Sequence, residues 1–216
     1  MMWPLPDSKS ELFLAGQSLA DWESQLGRIF DLTYPWELID LNAELIDGLT
    51  EWSDSTGIQM AEGSSIIYGE GTQILPGVYI EGKVVIGTDC KIGPNCYLRG
   101  STFIGDDCHI GNAVELKNSI LMPGTNVGHL SYVGDSVLAS GVNFGAGTIT
   151  SNLRHDGSNH RSMVGGQLLD TGRRKMGVIV GAGVHTGINT SLYPGRKIGP
   201  GLTTLPGEIV RQDITQ

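Results

Sequence analysis

The amino-acid sequence predicts an all-β fold, a parallel β-helix preceded by a helical segment. The main observation is a branched apolar residue at every sixth position from Ile74 to Leu116, with glycine directly behind four of these residues. No α-helix or flat strand has a period of six, whereas a triangular coil places three hexads in each turn, one on each face. The second observation is 32 glycines in 216 residues, about twice the usual share, which suits a chain of repeated turns.

The N-terminal residues 1–62 lack the repeat and are predicted to form a helical cap or linker. Ser8–Phe30 and Trp36–Trp52 are the two predicted helices. In the second, leucines three or four residues apart mark one apolar face, at positions 38, 41, 45 and 49. Because a solenoid exposes an apolar end, we expect this segment to cover that end or to pack between subunits.

Residues 63–216 are predicted to form the coils, with a loop insertion at 153–177. The register slips by one residue twice, from Leu116 to Leu121 and from Val133 to Leu138, and the repeat returns at Val180. Excluding the loop, the span from 74 to 204 predicts roughly six coils of about 18 residues. Loops that leave a rigid repeat scaffold commonly carry its function.

Composition excludes several classes of function. The net charge of −9 disfavours nucleic acid as a partner, although a local basic pocket for a phosphorylated small molecule remains compatible with it. The N-terminus lacks the pattern of a signal peptide, and no apolar run approaches the roughly 20 residues that span a bilayer. These features predict a soluble, cytoplasmic protein with no membrane contact. Cys90, Cys96 and Cys108 lie at inward hexad positions and are predicted to be core thiols.

The segment from 114 to 152 contains E-L-K-N, H-L-S-Y-V-G-D and N-F-G-A-G-T-I-T. These motifs resemble the acetyltransferase domain of bacterial bifunctional N-acetylglucosamine-1-phosphate uridyltransferase/glucosamine-1-phosphate acetyltransferases. The later N-L-R-H-D-G and T-G-R-R-K-M-G segments are more similar to the archaeal branch, the sugar-1-phosphate nucleotidylyltransferases with amino-sugar acetyltransferase activity. The resemblance covers roughly residues 36–212. It implies left-handed coils, acetyl-CoA as co-substrate, and a homotrimer with the cofactor between subunits.

His129, in G-H-L-S-Y, occupies the position of the family's catalytic base. Acetyl transfer to an amine needs a base, because a protonated amine cannot attack a thioester. Histidine side chains exchange protons near neutral pH and suit that task. Asn152, in T-S-N-L, matches a family asparagine that could orient the amine and the thioester.

Four further matches predict substrate-binding side chains. Arg99 and Lys117 match the family's basic residues for phosphate and sugar, and their separation of 18 residues should stack them on one face. An arginine fork and a lysine point charge make a reasonable phosphate clamp. Tyr132 and Asn143 match residues that contact the sugar phosphate and hold the amine or the pantetheine arm.

The remaining candidates surround the loop insertion. Gly145 and Ala146 leave room for the cofactor and could offer amide donors to the developing oxyanion. Arg161 keeps the charge of a family lysine, whereas Ser158 replaces another, which puts phosphate affinity or sugar identity in doubt. A dense basic cluster could reach the phosphates of acetyl-CoA or pair with the acidic surface, at Arg173, Arg174 and Lys175.

The combined interpretation is an acetyl-CoA-dependent N-acetyltransferase acting on an amino-sugar 1-phosphate, with glucosamine-1-phosphate as the expected substrate. No Gly-rich nucleotidylyltransferase loop precedes the coils, so we do not expect the chain to make nucleotide sugars alone.

A second hypothesis is a non-catalytic subunit that binds a sugar nucleotide or a separate nucleotidylyltransferase. A third, a γ-type carbonic anhydrase with zinc on three histidines, finds only His155 and His160 at a suitable spacing, and no metal is expected in the acetyltransferase site.

Overall fold

The computed structural model describes residues 34–215 and confirms the predicted parallel β-helix. Three faces can be followed along the coils. The front face contains β1 (Gln59–Met60), the first half of β4 (Tyr79–Ile86), the first half of β6 (Tyr97–Ile104), β8 (Glu115–Lys117), β11 (Tyr132–Gly134), β14 (Ile149–Thr150), β18 (Ser191–Leu192) and β20 (Ile209–Val210). The helix face contains β2 (Ser65–Tyr68), the second halves of β4 and β6, β9 (Ile120–Leu121), β12 (Val137–Leu138), β17 (Ile179–Val180) and β19 (Lys197–Ile198). The third face contains β3 (Gln73–Ile74), β5 (Lys91–Ile92), β7 (His109–Asn112), β10 (Asn126–His129) and β13 (Asn143–Phe144).

The hexad residues fill the interior. Parallel pairing stacks each of them on its counterpart one coil away, as Ile80 stacks on Leu98 and Ile104 on Leu121. These aliphatic columns and the three cysteines form one continuous buried core. The predicted core position of the cysteine thiols is therefore confirmed. The left-handed sense of the coils stays an expectation from the resemblance.

The number of coils agrees with the prediction within the span from 74 to 204. On the front face, paired strands place eight stacked residues from Met60 to Val210, and six of them lie in that span. The two additional turns lie at the ends: Met60 precedes the hexad series, whereas Val210 continues it six residues after Thr204. Coil formation therefore begins at Gln59, four residues before the proposed boundary at 63, and that boundary stays a prediction.

The two register slips shorten one corner. Three residues separate Arg99 from Phe103 where the front face meets the helix face, but two separate Lys117 from Ile120, and two separate Gly134 from Val137. The shorter corner turns through a single residue in the left-handed region: Asn118 has a φ of 45° and Asp135 a φ of 49°. Asn and Asp tolerate this conformation better than most side chains. Each of these coils is one residue shorter, yet its strands stay paired in register with those of the neighbouring coils.

Helix α1 (Glu37–Asp47) packs along the side of the coils. Its buried apolar residues, among them Leu38, Leu41 and Leu45, contact outward-pointing apolar residues of the helix face. Those partners stack one per coil, at Val85, Phe103, Ile120, Val137 and Ile179.

The second predicted helix is thus present, but it ends at Asp47 and not at Trp52, because the chain turns at Gly48 to join the first coil. The first, Ser8–Phe30, lies outside the described residues, and whether residues 1–33 cover an end of the solenoid stays a prediction.

The chain leaves the coils after β14 and returns at β17. The intervening segment contains an antiparallel hairpin of β15 (Arg161–Val164) and β16 (Gln167–Asp170). Among residues 34–215, no helix is long and apolar enough to cross a membrane.

Candidate functional site

Arg99 and Lys117 are adjacent on the front face, in direct register between β6 and β8. This confirms that they stack one coil apart. The structure also pairs each cation with a carboxylate, which the sequence did not indicate. Arg99 Nε and Nη2 donate to Glu115 Oε1 at 2.7 and 2.6 Å, and Lys117 Nζ donates to the two oxygens of Asp135 at 3.1 and 2.9 Å. The two predicted phosphate ligands therefore belong to an electroneutral group of four charges.

Asp135 is the centre of a buried polar network. Its side chain is 3% exposed, and besides Lys117 it accepts hydrogen bonds from Asn118 Nδ2 at 3.2 Å and Asn152 Nδ2 at 2.6 Å. A buried carboxylate is stable only when it is paired and hydrogen-bonded. The network satisfies that need and fixes the positions of Lys117 and Asn152.

Sequence reasoning missed Asp135 and Glu115 as members of this site. A signal for Asp135 was present: the second register slip puts it at the corner position that Asn118 occupies 17 residues earlier, which turns its side chain toward the same neighbours. Gly134 supplies room beside it, because a methyl group there would collide with the Tyr132 hydroxyl and the Asn152 amide.

Tyr132 and Asn152 meet on the front face. Asn152 Nδ2 donates to the Tyr132 hydroxyl at 3.0 Å as well as to Asp135, whereas Asn152 Oδ1 accepts no hydrogen bond from residues 34–215. Burial raises the pKa of the Tyr132 phenol, and the negative charges of Asp135 and Glu115 raise it further. The phenol therefore stays protonated near neutral pH and remains a hydrogen-bond donor.

His129 and Asn143 lie on the third face, around the corner from this network. His129 ends β10 and Asn143 begins β13, one coil further along. The chain passes the same corner in both coils, from His129 to Tyr132 and from Asn143 to Ile149. His129 is exposed, and its ring makes no hydrogen bond or ion pair with the described residues. Both ring nitrogens are therefore without a partner in the described part of the chain.

The backbone at this corner narrows the choice of oxyanion donor. Gly145 N–H donates to Thr186 Oγ1 at 2.9 Å, and Gly147 N–H donates to the His129 carbonyl at 3.1 Å. The Ala146 N–H has no hydrogen-bond acceptor within the part of the chain that the structure describes. Of the three amides, only that of Ala146 is available to a ligand.

The loop candidates are spread out. Arg173 reaches helix α1, where its guanidinium pairs with Asp40, so it lies against the side of the coils. The side chains of Arg174 and Lys175 are exposed and form no ion pair within residues 34–215. Arg161 begins β15 and lines a cavity under the loop. None of these four side chains bonds to the network around Asp135 in the described structure.

His160 joins the loop to the network. Its Nε2 lies 3.0 Å from the Asn152 carbonyl oxygen, and burial lowers the pKa of its imidazole. The neutral ring therefore donates its Nε2–H to that carbonyl. In residues 34–215, no group of three or more His, Cys, Asp or Glu side chains is arranged to hold a metal ion, and His155 and His160 gain no third ligand.

Comparison with known proteins identifies one family model and several relatives that match the coils. The model of the GMPPB C-terminal domain family matches residues 74–192. The bifunctional sugar-1-phosphate nucleotidylyltransferase/acetyltransferase of Sulfurisphaera tokodaii is 42% identical over 190 residues, which is 87% of this chain and 47% of that protein. The bifunctional protein GlmU of Methanococcus aeolicus is 36% identical over 170 residues, 78% of this chain and 41% of that protein. These relatives confirm the resemblance to the archaeal branch, and the chain spans about half the length of each.

Among solved structures, a mutant of AntD, an N-acyltransferase from Bacillus cereus in complex with dTDP and coenzyme A, covers 69% of this chain and 72% of its own. The identity is 14% and the TM-score 0.29, a degree of likeness that supports no conclusion about activity.

Proposed function

Because the chain belongs to the GMPPB C-terminal domain family, we propose that it is an acetyl-CoA-dependent N-acetyltransferase acting on an amino-sugar 1-phosphate, with glucosamine-1-phosphate as the expected substrate. The observation that supports this most is the hydrogen-bonded network of Lys117, Tyr132, Asp135 and Asn152, with His129 one corner away. The acetyltransferase named in the Sulfurisphaera tokodaii relative gives independent support.

In this proposal the substrate phosphate binds Arg99 and Lys117. Both cations keep a donor for it: Arg99 uses Nε and Nη2 on Glu115 and retains Nη1, and an ammonium with two bonds to Asp135 retains its third N–H. The carboxylates fix the cations before substrate arrives, so less side-chain entropy is lost on binding. Tyr132 and Asn143 contact the sugar from the two sides of the corner.

His129 takes the proton from the substrate amine as nitrogen attacks the thioester carbonyl carbon. A C–N bond forms, the C–S bond breaks, and the departing thiolate receives the proton that His129 holds. Asn152 Oδ1 accepts a hydrogen bond from the amine and orients its lone pair, since that oxygen has no partner in residues 34–215. The Ala146 N–H stabilises the oxyanion, as a preorganised amide donor does in other acyl transfers.

Acetyl-CoA would lie along the corner beside Gly145 and Ala146. Arg174 and Lys175 are the candidates for its phosphates, whereas Arg173 is already paired with Asp40.

We also propose a homotrimer with the cofactor between subunits. Support comes from large apolar side chains left exposed at turns of several coils, at Leu130, Ile188 and Leu205. Light scattering of the purified chain tests this, and a monomer at all concentrations contradicts it.

The decisive experiment is thiol release from acetyl-CoA by the purified chain, with glucosamine-1-phosphate, galactosamine-1-phosphate or no sugar. We expect release that depends on one of the sugar phosphates. Release with neither sugar contradicts the proposal. The alternative of a non-catalytic subunit then gains weight, and it predicts binding of a sugar nucleotide or of a separate nucleotidylyltransferase without turnover.

A further inference from the structure

The loop insertion and the last coils line an open cavity of about 580 Å³. Its floor continues the outward column of Arg99 and Lys117 along the front face. Ser151, Tyr193 and Arg211 follow one another there, because each comes directly after a paired strand, and Tyr193 N–H donates to the Val210 carbonyl at 3.0 Å. Its walls come from the loop, including Arg154 and Arg161, and from Arg196.

The cavity concentrates positive charge in an acidic protein. Four of the chain's 14 basic residues line it, together with one carboxylate, Asp156, although the whole chain carries a net charge of −9. Asp156 is engaged by Arg154, which donates through Nε at 3.0 Å and Nη2 at 2.7 Å. The local field therefore attracts anions even though the protein as a whole repels them.

The three remaining arginines of the cavity have no carboxylate partner at hydrogen-bonding distance, unlike Arg99 and Lys117. Arg161 and Arg211 form no ion pair with any residue from 34 to 215. Arg196 donates to the Arg161 carbonyl at 3.1 Å, and its nearest carboxylate contact, Asp213, is 3.7 Å away. Three guanidinium groups around one cavity repel each other, and an anion bound between them relieves that repulsion. Guanidinium groups match phosphate oxygens in geometry as well as in charge.

An aromatic surface lies beside these cations. Tyr193 is 46% exposed, and the Arg211 guanidinium carbon lies 5.9 Å from the centre of its ring. Leu153 and Pro194 extend this apolar surface. Aromatic rings and guanidinium planes are the usual stacking partners of nucleobases. A cavity of this size accommodates a ligand larger than a single phosphate.

We propose that this cavity binds a nucleoside diphosphate group, with Arg161, Arg196 and Arg211 on the diphosphate and Tyr193 against the base. Apart from Arg161, which the resemblance matched to a substrate-binding lysine, the site shares no residue with the one proposed for acetyl transfer, and its existence does not depend on that activity. It adjoins that site through His160, which lines the cavity and donates to the Asn152 carbonyl. The nucleoside diphosphate is either a free nucleotide or the nucleotide end of coenzyme A, in which case these three arginines replace Arg174 and Lys175 as the ligands of its diphosphate.

Isothermal titration calorimetry of the full chain with ADP, UDP, coenzyme A and inorganic pyrophosphate tests the proposal. We expect at least one nucleotide to bind, and the double variant Arg161→Ala/Arg211→Ala to weaken its binding and that of pyrophosphate about 10-fold or more. Tyr193→Ala should weaken nucleotide binding and leave pyrophosphate binding nearly unchanged. Lys91→Ala, which removes an exposed charge from the third face, is the matched control and should bind like the wild type. Circular dichroism checks that each variant folds.

Competition identifies the source of the nucleotide. If coenzyme A displaces ADP from the wild type and the double variant binds neither, the cavity holds the nucleotide end of the co-substrate; if both bind at once, the ligand is a free nucleotide. Nucleotide binding that is unchanged in the folded double variant overturns the proposal, as does the absence of binding for every probe. His129→Ala should bind nucleotides normally, so failure of the acetyltransferase proposal and failure of this one remain distinguishable.

Discussion

The helix face and the front face are built on the same coils, but the helix face packs against α1 whereas the front face carries the polar network. On the helix face the outward column is apolar from Val85 to Ile179, and α1 covers it. On the front face the corresponding outward positions hold Arg99 and Lys117, beside the corner residues that bond to Asp135. The inward columns are aliphatic under both faces. The inward side chains thus build the coil, and the outward ones decide whether a face packs or does chemistry.

The largest expected effect separates packing on the helix face from activity on the front face. Phe103→Ala should lower the free energy of unfolding by about 3–5 kcal/mol, because it leaves a cavity under α1. Chemical denaturation measures this, and kcat/KM for thiol release should be unchanged at a temperature where the variant is folded. Ile209→Ala is the control, since that side chain points outward on the front face and is 50% exposed, so it should change stability little. Equal losses in the two variants would contradict the comparison.

Asp135→Asn tests the network of the front face. Asparagine keeps the left-handed corner but removes the charge that pairs with Lys117, so the variant should lose about 3 kcal/mol of stability. KM for the sugar phosphate should rise, because Lys117 and Asn152 lose their common anchor. Denaturation and initial-rate kinetics measure the two effects. Asp156→Asn breaks an exposed pair with Arg154 and should alter stability little. A stable Asp135→Asn protein with wild-type KM would show that the network is not needed.

Tyr132→Phe should have a smaller effect. It removes the hydroxyl that accepts from Asn152 Nδ2, a neutral hydrogen bond worth about 1 kcal/mol, which corresponds to roughly a fivefold loss of kcat/KM. Tyr68→Phe is the matched control, because its hydroxyl bonds the Asp54 carbonyl away from the site. A loss of the same size in both variants would argue against a specific role for Tyr132.

The smallest expected effect is a pH dependence carried by His160. Burial lowers the pKa of this imidazole in the folded protein, so between the folded and unfolded pKa values the unfolded chain binds more protons. The free energy of unfolding should therefore be fully retained above about pH 6.5 and fall as the pH is lowered through that value. His160→Gln should show a shallower fall in denaturation curves recorded at pH 7 and pH 5. His109, whose pKa burial also lowers, remains in both proteins. Identical slopes would exclude this role for His160.

The parts of the molecule that could be predicted from the sequence depend on local periodicity. The spacing of six gives the inward columns, and the spacing of 18 gives the stacking of Arg99 on Lys117. The site roles taken from the resemblance remain predictions, and the structure adds where those residues lie relative to one another.

What could not be predicted depends on distant contacts or on a change in coil length. Arg173 pairs with Asp40, 133 positions earlier, a contact that no local pattern indicates. Asp135 lies at a corner that is one residue shorter than the corner at Gly100, and the slip alone does not show which side chains will meet there. The side packing of α1 depends on an apolar column whose members are 17, 18 or more residues apart.

The most direct test of the account is kcat/KM for sugar-dependent thiol release from acetyl-CoA by the wild type and by His129→Ala, with thermal melting of both proteins. The His129 ring is exposed and makes no hydrogen bond within residues 34–215, so its removal should leave the melting temperature unchanged. If it is the general base, kcat/KM should fall by about 10²–10⁴-fold. Wild-type turnover in the folded variant would contradict the assignment of the base and, with it, the proposed chemistry of this corner.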